Sequence, residues 1–166
     1  MNRTVSKATN LAYNLQSRFK DGEFYSLPED MIRGTILNTI VKPDVIVNCT
    51  DKGADGALLE VSPFAAGTAG EFNNTLSIDN CRNLKNLNPD VVIVDIVLPQ
   101  RGADNSIMLR HARDAALEHL VNGLGMVINQ AAPAYKLVEN AHGSVHRKSL
   151  SEEDIRKLMQ QAAKSA

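Results

Sequence analysis

The sequence contains no tryptophan, and aromatic residues make up only 4% of its 166 residues. A hydrophobic core of this chain must therefore be built from valine, isoleucine, leucine, alanine and methionine. Apolar residues make up 43% of the chain and charged residues 22%, a balance that excludes wholesale disorder. The length suits one domain with a buried core.

Cysteine is also scarce. Cys49 and Cys81 lie far apart and form no CxxC pair, which argues against a disulfide framework or a cysteine metal site. Both lie near apolar segments, so we expect them to be small core residues. No apolar stretch approaches the length of a membrane span, and the first residues, MNRTVSKATN, contain no signal-peptide core. We therefore expect a cytoplasmic protein without a membrane partner.

The chain has no large excess of charge of either sign, since its formal net charge is −1. Binding to nucleic acid or to an anionic membrane usually requires Lys and Arg in excess on one surface. We therefore expect no nucleic-acid partner. Three classes of function remain: a regulatory module, a small enzyme or ligand-binding protein, and a structural or assembly protein.

Residues 1–42 are predicted to form a helical extension. Apolar residues recur at helical spacing in two segments, one from about residue 5 to 20 and one after Pro28. The two stripes are Leu11, Leu15 and Phe19, and then Met31, Ile32, Ile36 and Ile40. A compact α/β domain does not need these helices to close its core, and short helices are marginal in water unless an apolar face is buried. Their apolar faces can be buried on the α/β domain, on each other or on a second copy of the chain. We predict the last of these arrangements, a homodimer.

Residues 43–166 are predicted to form one flavodoxin-like domain of the α/β class. Apolar, β-branched runs at 44–49 and 90–97 predict two buried strands. Weaker signals predict strands at 75–78, 126–128 and 144–146 and helices at 80–87, 105–121, 135–141 and after Ser151, and they leave 57–66 ambiguous. Because strands and helices alternate, we expect βαβ units and a doubly wound parallel sheet.

The sharpest chemical feature is Asp95, which interrupts the apolar run VVIVDIV. A carboxylate in such a strand is costly unless it is solvated, paired or bound to a cation. Sites in parallel sheets form at the carboxyl ends of the strands. The residues expected at those ends are Asn48, Thr50, Asp51, Asp55, Asp95, Pro99, Asn129 and Gln130. Asp95 is equally compatible with a structural role, and Asp51 and Asp55 with stabilisation of turns.

Two segments resemble the receiver domains of response regulators. The run NPDVVIVDIVLPQRG is similar to the third strand of that family and the loop after it, and AHGSVHRKSLSEEDIRKL is similar to the family's ending. The resemblance covers roughly residues 44–166. It implies that Asp95 accepts a phosphoryl group from a histidine kinase, that Lys148 pairs with that group, and that Asp51 and Asp95 hold Mg²⁺.

The sequence departs from the receiver pattern at several places, three of them at positions where the family has site residues. Asp51 follows the first strand where the family has two adjacent acids, and Thr50 takes the other position. Asn129 lies in the region where the family ends its fourth strand in Ser or Thr, and Ser149 follows the lysine in place of Pro. We therefore expect a degenerate, receiver-like signalling module that acts through protein–protein interaction, with or without phosphorylation of Asp95.

Two other functions stay open. A small α/β enzyme or ligand-binding protein would use the strand-end loops, with Asn48, Asp51, Asp55 and Asp95 as its polar groups. A structural or assembly protein would leave these loops without a ligand. A deep pocket would favour the first of these two functions, and a large apolar interface without a pocket would favour the second.

Overall fold

The computed structural model describes residues 5–27, 42–54, 56–65, 71–98, 105–141 and 150–165. These residues form five α-helices, one short 3-10 helix at Pro63–Ala65 and a three-stranded sheet. The elements are α1 (Val5–Arg18), β1 (Val45–Asn48), α2 (Glu71–Leu87), β2 (Val92–Asp95), α3 (Ile107–Asp114), β3 (Leu120–Asn122), α4 (Leu124–Ala141) and α5 (Glu152–Ser165). The α/β class predicted from the sequence is confirmed. No helix within the described ranges is both long and apolar enough to cross a membrane.

The three strands run parallel in the spatial order β1-β2-β3. Asn48 lies opposite Asp95, and Asp95 lies opposite Asn122, so the three strands end at one level. Each connection leads from one strand to its neighbour in the sheet, and both connections move across the sheet in the same direction. Right-handed crossovers then place α2 and α3 on the same face of the sheet, and this face carries the core.

The core lies between this face and the two helices, with Ile93 of β2 fully buried at its centre. Ile46 and Leu120 flank Ile93 on the neighbouring strands. The helices and loops contribute Phe64, Cys81, Leu84, Val91, Met108, Leu109, Ala112, Ala115 and Leu117. As the composition predicted, the core is almost entirely aliphatic.

The prediction that both cysteines are core residues is confirmed for Cys81 and wrong for Cys49. Cys81 is fully buried on the core side of α2, and this burial raises the pKa of its thiol to about 12. Cys49 is exposed, because β1 ends at Asn48 and the chain turns out of the sheet at the next residue.

The predicted strand at 75–78 is wrong, since these residues lie inside α2. Asn73, Ser77 and Asn80 lie at helical spacing and bind the preceding loop. The Asn73 side chain accepts the Ser62 amide at 3.0 Å and donates to the Glu60 carbonyl at 2.8 Å. The Ser62 and Ser77 hydroxyls are 2.7 Å apart, and Asn80 Nδ2 donates to the Phe64 carbonyl at 2.6 Å. These buried hydrogen bonds exist only in the helical conformation, so tertiary contacts override the strand propensity of Thr75 and Ile78.

The helix predicted at 105–121 is too long, because α3 ends at Asp114 and the chain enters β3 at Leu120. Ala116 adopts a left-handed backbone with a φ of 60°. The amides of Ala116 and Leu117 turn back to the carbonyls of Arg113 and Ala112, as at a normal helix C-terminus. The sequence carried no glycine to signal this stop.

The predicted strand at 126–128 is also wrong, since these residues lie in the first turns of α4. A short apolar run does not distinguish a strand from a helix. Of the two histidines in this region, His111 is buried on α3, which lowers the pKa of its ring, and His119 precedes β3.

The first and last predicted helices that fall on described residues are confirmed as α1 and α5. Ser151 caps α5 as predicted: its hydroxyl accepts the Asp154 amide at 3.1 Å, and Asp154 Oδ2 accepts the Ser151 amide at 3.3 Å. The helix predicted after Pro28 and the strand predicted at 144–146 lie outside the described residues. The boundary between 1–42 and 43–166 stays a prediction.

Gly123 packs closely against the backbone of Ile96 beyond the end of β2, and a substitution there tests this packing. A Cβ atom at this position would lie 2.4 Å from the Ile96 carbonyl oxygen and 2.9 Å from Ile96 Cα, which are backbone atoms that cannot rotate away. We expect Gly123→Ala to lower the free energy of unfolding by about 1–3 kcal/mol, as overpacking does. Urea unfolding followed by circular dichroism measures this change.

Gly125 is the matched control for this substitution. Gly125 lies two residues after Gly123, in the first turn of α4, and a Cβ added there would meet no neighbouring atom within 4 Å. Gly125→Ala should leave the stability unchanged or raise it by up to about 1 kcal/mol, because alanine favours a helix over glycine. Equal losses in the two variants would contradict the close approach between Gly123 and Ile96.

Candidate functional site at the carboxyl ends of the strands

A polar residue ends each of the three strands. Asn48, Asp95 and Asn122 are paired across the sheet, so they form a row at its carboxyl edge. The sequence predicted Asn48 and Asp95 at this edge, and the structure confirms their positions. Asn122 was missed because β3 was assigned to a helix. The Asn122-Gly123 pair between two apolar segments was the available signal of a strand end.

The Asp95 carboxyl group is fully buried, and both of its oxygens accept hydrogen bonds. The Ser106 hydroxyl donates to Oδ2 at 2.5 Å. Asn48 Nδ2 and the Val97 amide donate to Oδ1 at 2.9 and 3.0 Å. The sequence left solvation, pairing and a bound cation open for this residue, and among the described residues hydrogen-bond donors satisfy it.

Ser106 connects this carboxyl group to a helix. It is the N-cap of α3, and its hydroxyl oxygen accepts the Leu109 amide at 3.4 Å while its hydrogen points to Asp95. One hydroxyl group therefore caps α3 and attaches the start of that helix to the end of β2. Its position directly before the apolar residues Ile107, Met108 and Leu109 was the sequence signal for an N-cap.

Asn48 connects the same carboxyl group to the loop after β1. Its side-chain oxygen accepts the Thr50 amide at 3.0 Å and the Thr50 hydroxyl at 2.6 Å. Its Nδ2 also approaches the Lys52 carbonyl at 3.3 Å, and the Thr50 oxygen accepts the Lys52 amide at 3.2 Å. Thr50 thus orients the Asn48 amide so that Nδ2 faces Asp95. Asn48, Thr50, Asp95 and Ser106 form one connected group, which we call the strand-end network.

Burial raises the pKa of the Asp95 carboxyl group above its ordinary value, and the donors Ser106, Val97 and Asn48 oppose this rise without cancelling it. A buried carboxyl group of this kind holds its proton more tightly than an exposed one. Chemically, it can anchor neighbouring donors, but it presents no free, solvent-facing lone pair to a substrate.

The structure brings together some of the predicted site residues and separates others. Asn48, Thr50 and Asp95 meet in the strand-end network, whereas Asp51 lies exposed in the loop after β1. Asn129 and Gln130 are exposed on α4 and are not strand-end residues. The remaining predicted residues, Asp55, Pro99 and Lys148, lie outside the described residues.

The predicted Mg²⁺ site requires several ligand side chains close together around Asp51 and Asp95. In the parts of the chain that the structure describes, no three His, Cys, Asp or Glu side chains come together in a group that could hold a metal ion. A cation bound to Asp95 would have to displace Ser106 or Asn48 from its oxygens. The residues as arranged do not fit this ligand set, and Mg²⁺ binding by Asp51 and Asp95 stays a prediction.

Comparison of the chain with known protein families, with curated proteins and with solved structures found no match. The function must therefore be inferred from the chain's own residues and their geometry.

The buried Asp95 carboxyl predicts a pH dependence of stability. Its pKa in the folded chain lies above its ordinary value of 3.8, so the folded state binds the proton more tightly than the unfolded state. Its contribution to stability is complete below that value and is lost as the pH rises through the folded-state pKa. The loss is about 1.4 kcal/mol for each pH unit that separates the pKa of the folded state from that of the unfolded state.

Asp95→Asn cannot ionise, and its amide can donate to Ser106 while its oxygen accepts from Asn48 and Val97. Relative to this variant, the wild-type chain should lose stability between pH 4 and pH 8.

Urea unfolding of both proteins across this range measures the difference. Asp21→Asn, at an exposed position, is the control for the loss of one negative charge. If Asp95→Asn is less stable than the wild type by the same amount at every pH, then ionisation of Asp95 does not oppose folding and the interpretation of this carboxyl group is wrong.

Proposed function

We propose that the chain is a flavodoxin-like, receiver-like regulatory module that acts through protein–protein contacts and does not use Asp95 as a phosphoacceptor. One observation carries the proposal: the carboxyl group at the phosphoacceptor position is fully buried, and protein donors occupy both of its oxygens. The resemblance to receiver domains is the basis for proposing a regulatory function. The strand-end network is the basis for proposing a degenerate module, in which Asp95 is not phosphorylated.

Phosphoryl transfer makes a geometric demand that this carboxyl group does not meet. The attacking oxygen must reach the phosphorus atom in line with the leaving group. Oδ2 is held by Ser106, and Oδ1 is shared by Asn48 and Val97. Attack would require the carboxyl group to leave three hydrogen bonds and to become accessible to a phosphodonor. In this proposal a histidine kinase, the partner that the resemblance implies, binds the module without phosphorylating it.

The strand order supports the flavodoxin-like assignment. Such sheets have the order 2-1-3-4-5, in which strands one, three and four are neighbours. The observed β1, β2 and β3 are also parallel neighbours in chain order. The resemblance places Asp95 at the end of the third strand, and Asp95 ends the middle one of these three. In this comparison, α2 occupies the stretch of chain that would supply strand two.

A second candidate function is binding of a small ligand at the strand ends. The row formed by Asn48, Asp95 and Asn122 favours it, because convergent polar groups at this edge are typical of ligand sites. Against it, the polar atoms of Asn48 and Asp95 are already used within the strand-end network. A copurified small molecule in a native mass spectrum would favour this candidate.

The phosphoacceptor claim has a direct test. Incubation of the full chain with acetyl phosphate and Mg²⁺ should give no phosphoryl adduct in the intact mass, because Asp95 is shut off from the donor. Asp95→Asn removes the claimed acceptor, and Asp21→Asn, at an exposed position away from the strand ends, is the matched control. An adduct that forms on the wild type and on Asp21→Asn but not on Asp95→Asn would overturn this part of the proposal.

Helix α1 offers a surface for the predicted homodimer. It has no buried residue, and Leu11 and Tyr13 are 56% and 74% exposed. Because so short a helix is marginal without packing, we expect α1 to pair with α1 of a second copy. Light scattering should then give the mass of a dimer for the full chain and the mass of a monomer for Leu11→Glu.

Asn14→Glu adds the same charge at another exposed position of α1, and it should leave the dimer intact if Leu11 acts through apolar contact. A monomeric wild-type chain, or a Leu11→Glu variant that stays dimeric, would show that α1 is not the dimer contact.

A further inference from the structure

The sheet has a second face, which consists entirely of valines. Side chains alternate along each strand, and residues paired in a parallel register point to the same side. Ile46, Ile93 and Leu120 point into the core, so their neighbours point away from it. These neighbours are Val45, Val47, Val92, Val94 and Val121, which we call the valine face. Val45, Val47 and Val121 are 55%, 49% and 48% exposed.

A parallel sheet is normally covered on both faces, but the described helices that pack on this sheet lie on one side. The crossovers through α2 and α3 run in the same direction and share the core face. α4 and α5 pack chiefly on each other. Within the same chain, the segments before β1 and after β3 are therefore the ones to consider for the valine face, because the helices that connect the strands lie on the other side.

We infer that residues 28–41 of the same chain occupy the valine face as an α-helix. The sequence of this segment carries an apolar stripe of the type that packs on a sheet, formed by Met31, Ile32, Ile36 and Ile40. Charged and polar residues such as Arg33, Thr35 and Asn38 fall between the members of this stripe. Aliphatic side chains from the segment would then interdigitate with the valines and exclude water from them.

The connection to β1 favours this segment over the others that lie outside the described residues. Only Lys42, Pro43 and Asp44 separate residue 41 from β1, a normal length for a helix-to-strand loop. This loop is attached at the start of the sheet: Asn88 Nδ2 donates to the Pro43 carbonyl at 3.0 Å, and the Val92 amide donates to the Asp44 carbonyl at 2.9 Å. A helix that ends there must lie against the sheet beside β1, and α2 and α3 already cover the core face.

Length and composition point the same way. As an α-helix, residues 28–41 would be about 20 Å long at 1.5 Å per residue, and four-residue strands are about 13 Å long. The segment can therefore span the valine face. The segment 142–149, the longest alternative after β3, reads HGSVHRKS and has no apolar stripe.

Thiol accessibility in the full chain tests the inference. Exposed Cys49 is first replaced by Cys49→Ser, and Cys81 remains as an internal reporter because it labels only if the core opens. Val47→Cys then reports on the valine face, and Val138→Cys, at a 59% exposed position on α4, is the matched control. Each labelling rate with a maleimide is divided by the rate of the same variant in denaturant.

We expect the thiol introduced by Val47→Cys to label at least about tenfold more slowly than that introduced by Val138→Cys. Ile36→Glu should remove this difference without exposing Cys81, because a charge in the apolar stripe detaches the segment. Equal rates for the two introduced thiols would overturn the inference. Protection that depends on protein concentration, or that survives Ile36→Glu, would instead assign the face to a second copy of the chain. If Ile36→Glu exposes Cys81, then Ile36→Ala replaces it, and protection that Ile36→Ala leaves unchanged would also overturn the inference.

Discussion

The hydrogen bond between the Ser106 hydroxyl and the buried Asp95 carboxyl is the contact on which the arrangement of the described domain depends. It joins the end of β2 to the first turn of α3, while Asn48 joins the same carboxyl to the end of β1 and to its exit loop. Two strands, one helix and one loop thus share a single acidic group. A buried polar group is stabilising only when every partner is present, so this network specifies one arrangement of these four elements.

A second buried polar group secures the loop before α2 in the same way. Ser62 and Asn73 are fully buried. The Ser62 amide donates to Asn73 Oδ1 and the Ser62 hydroxyl is hydrogen-bonded with the Ser77 hydroxyl, so the loop is held against the helix. The chain has few aromatic residues, so large rings contribute little to the position of its loops. Asn and Ser side chains do this instead, and they satisfy backbone groups that would otherwise be buried without partners.

This use of Asp95 bears directly on function. The role that the receiver resemblance implies would require this carboxyl group to be available for chemistry, whereas its hydrogen bonds assemble the strand ends. An acid that organises three elements cannot leave them without loosening the fold around it. The proposed regulatory role would rely on exposed surfaces instead of this carboxyl group, and the described part of the chain exposes apolar side chains on α1.

The sequence by itself determined the elements whose signals are local. The apolar, β-branched runs at β1 and β2 favour strands whatever surrounds them, although Val45 and Val47 of β1 stay half-exposed. The Ser151–Asp154 capping box starts α5 with groups from a single turn. The place of Asp95 at a strand end followed from the same patterns.

Tertiary structure alone decided the rest. Residues 75–78 are helical because Asn73, Ser77 and Asn80 bind the loop that precedes the helix, 11 to 16 residues away in the sequence. β3 separated from α3 because Ala116 adopts a left-handed turn without a glycine. The role of Asp95 depends on Ser106 and Asn48, which lie beside it because α3 and β1 pack against β2. A local sequence pattern does not encode the distance between two elements, so this role could not be read from the sequence.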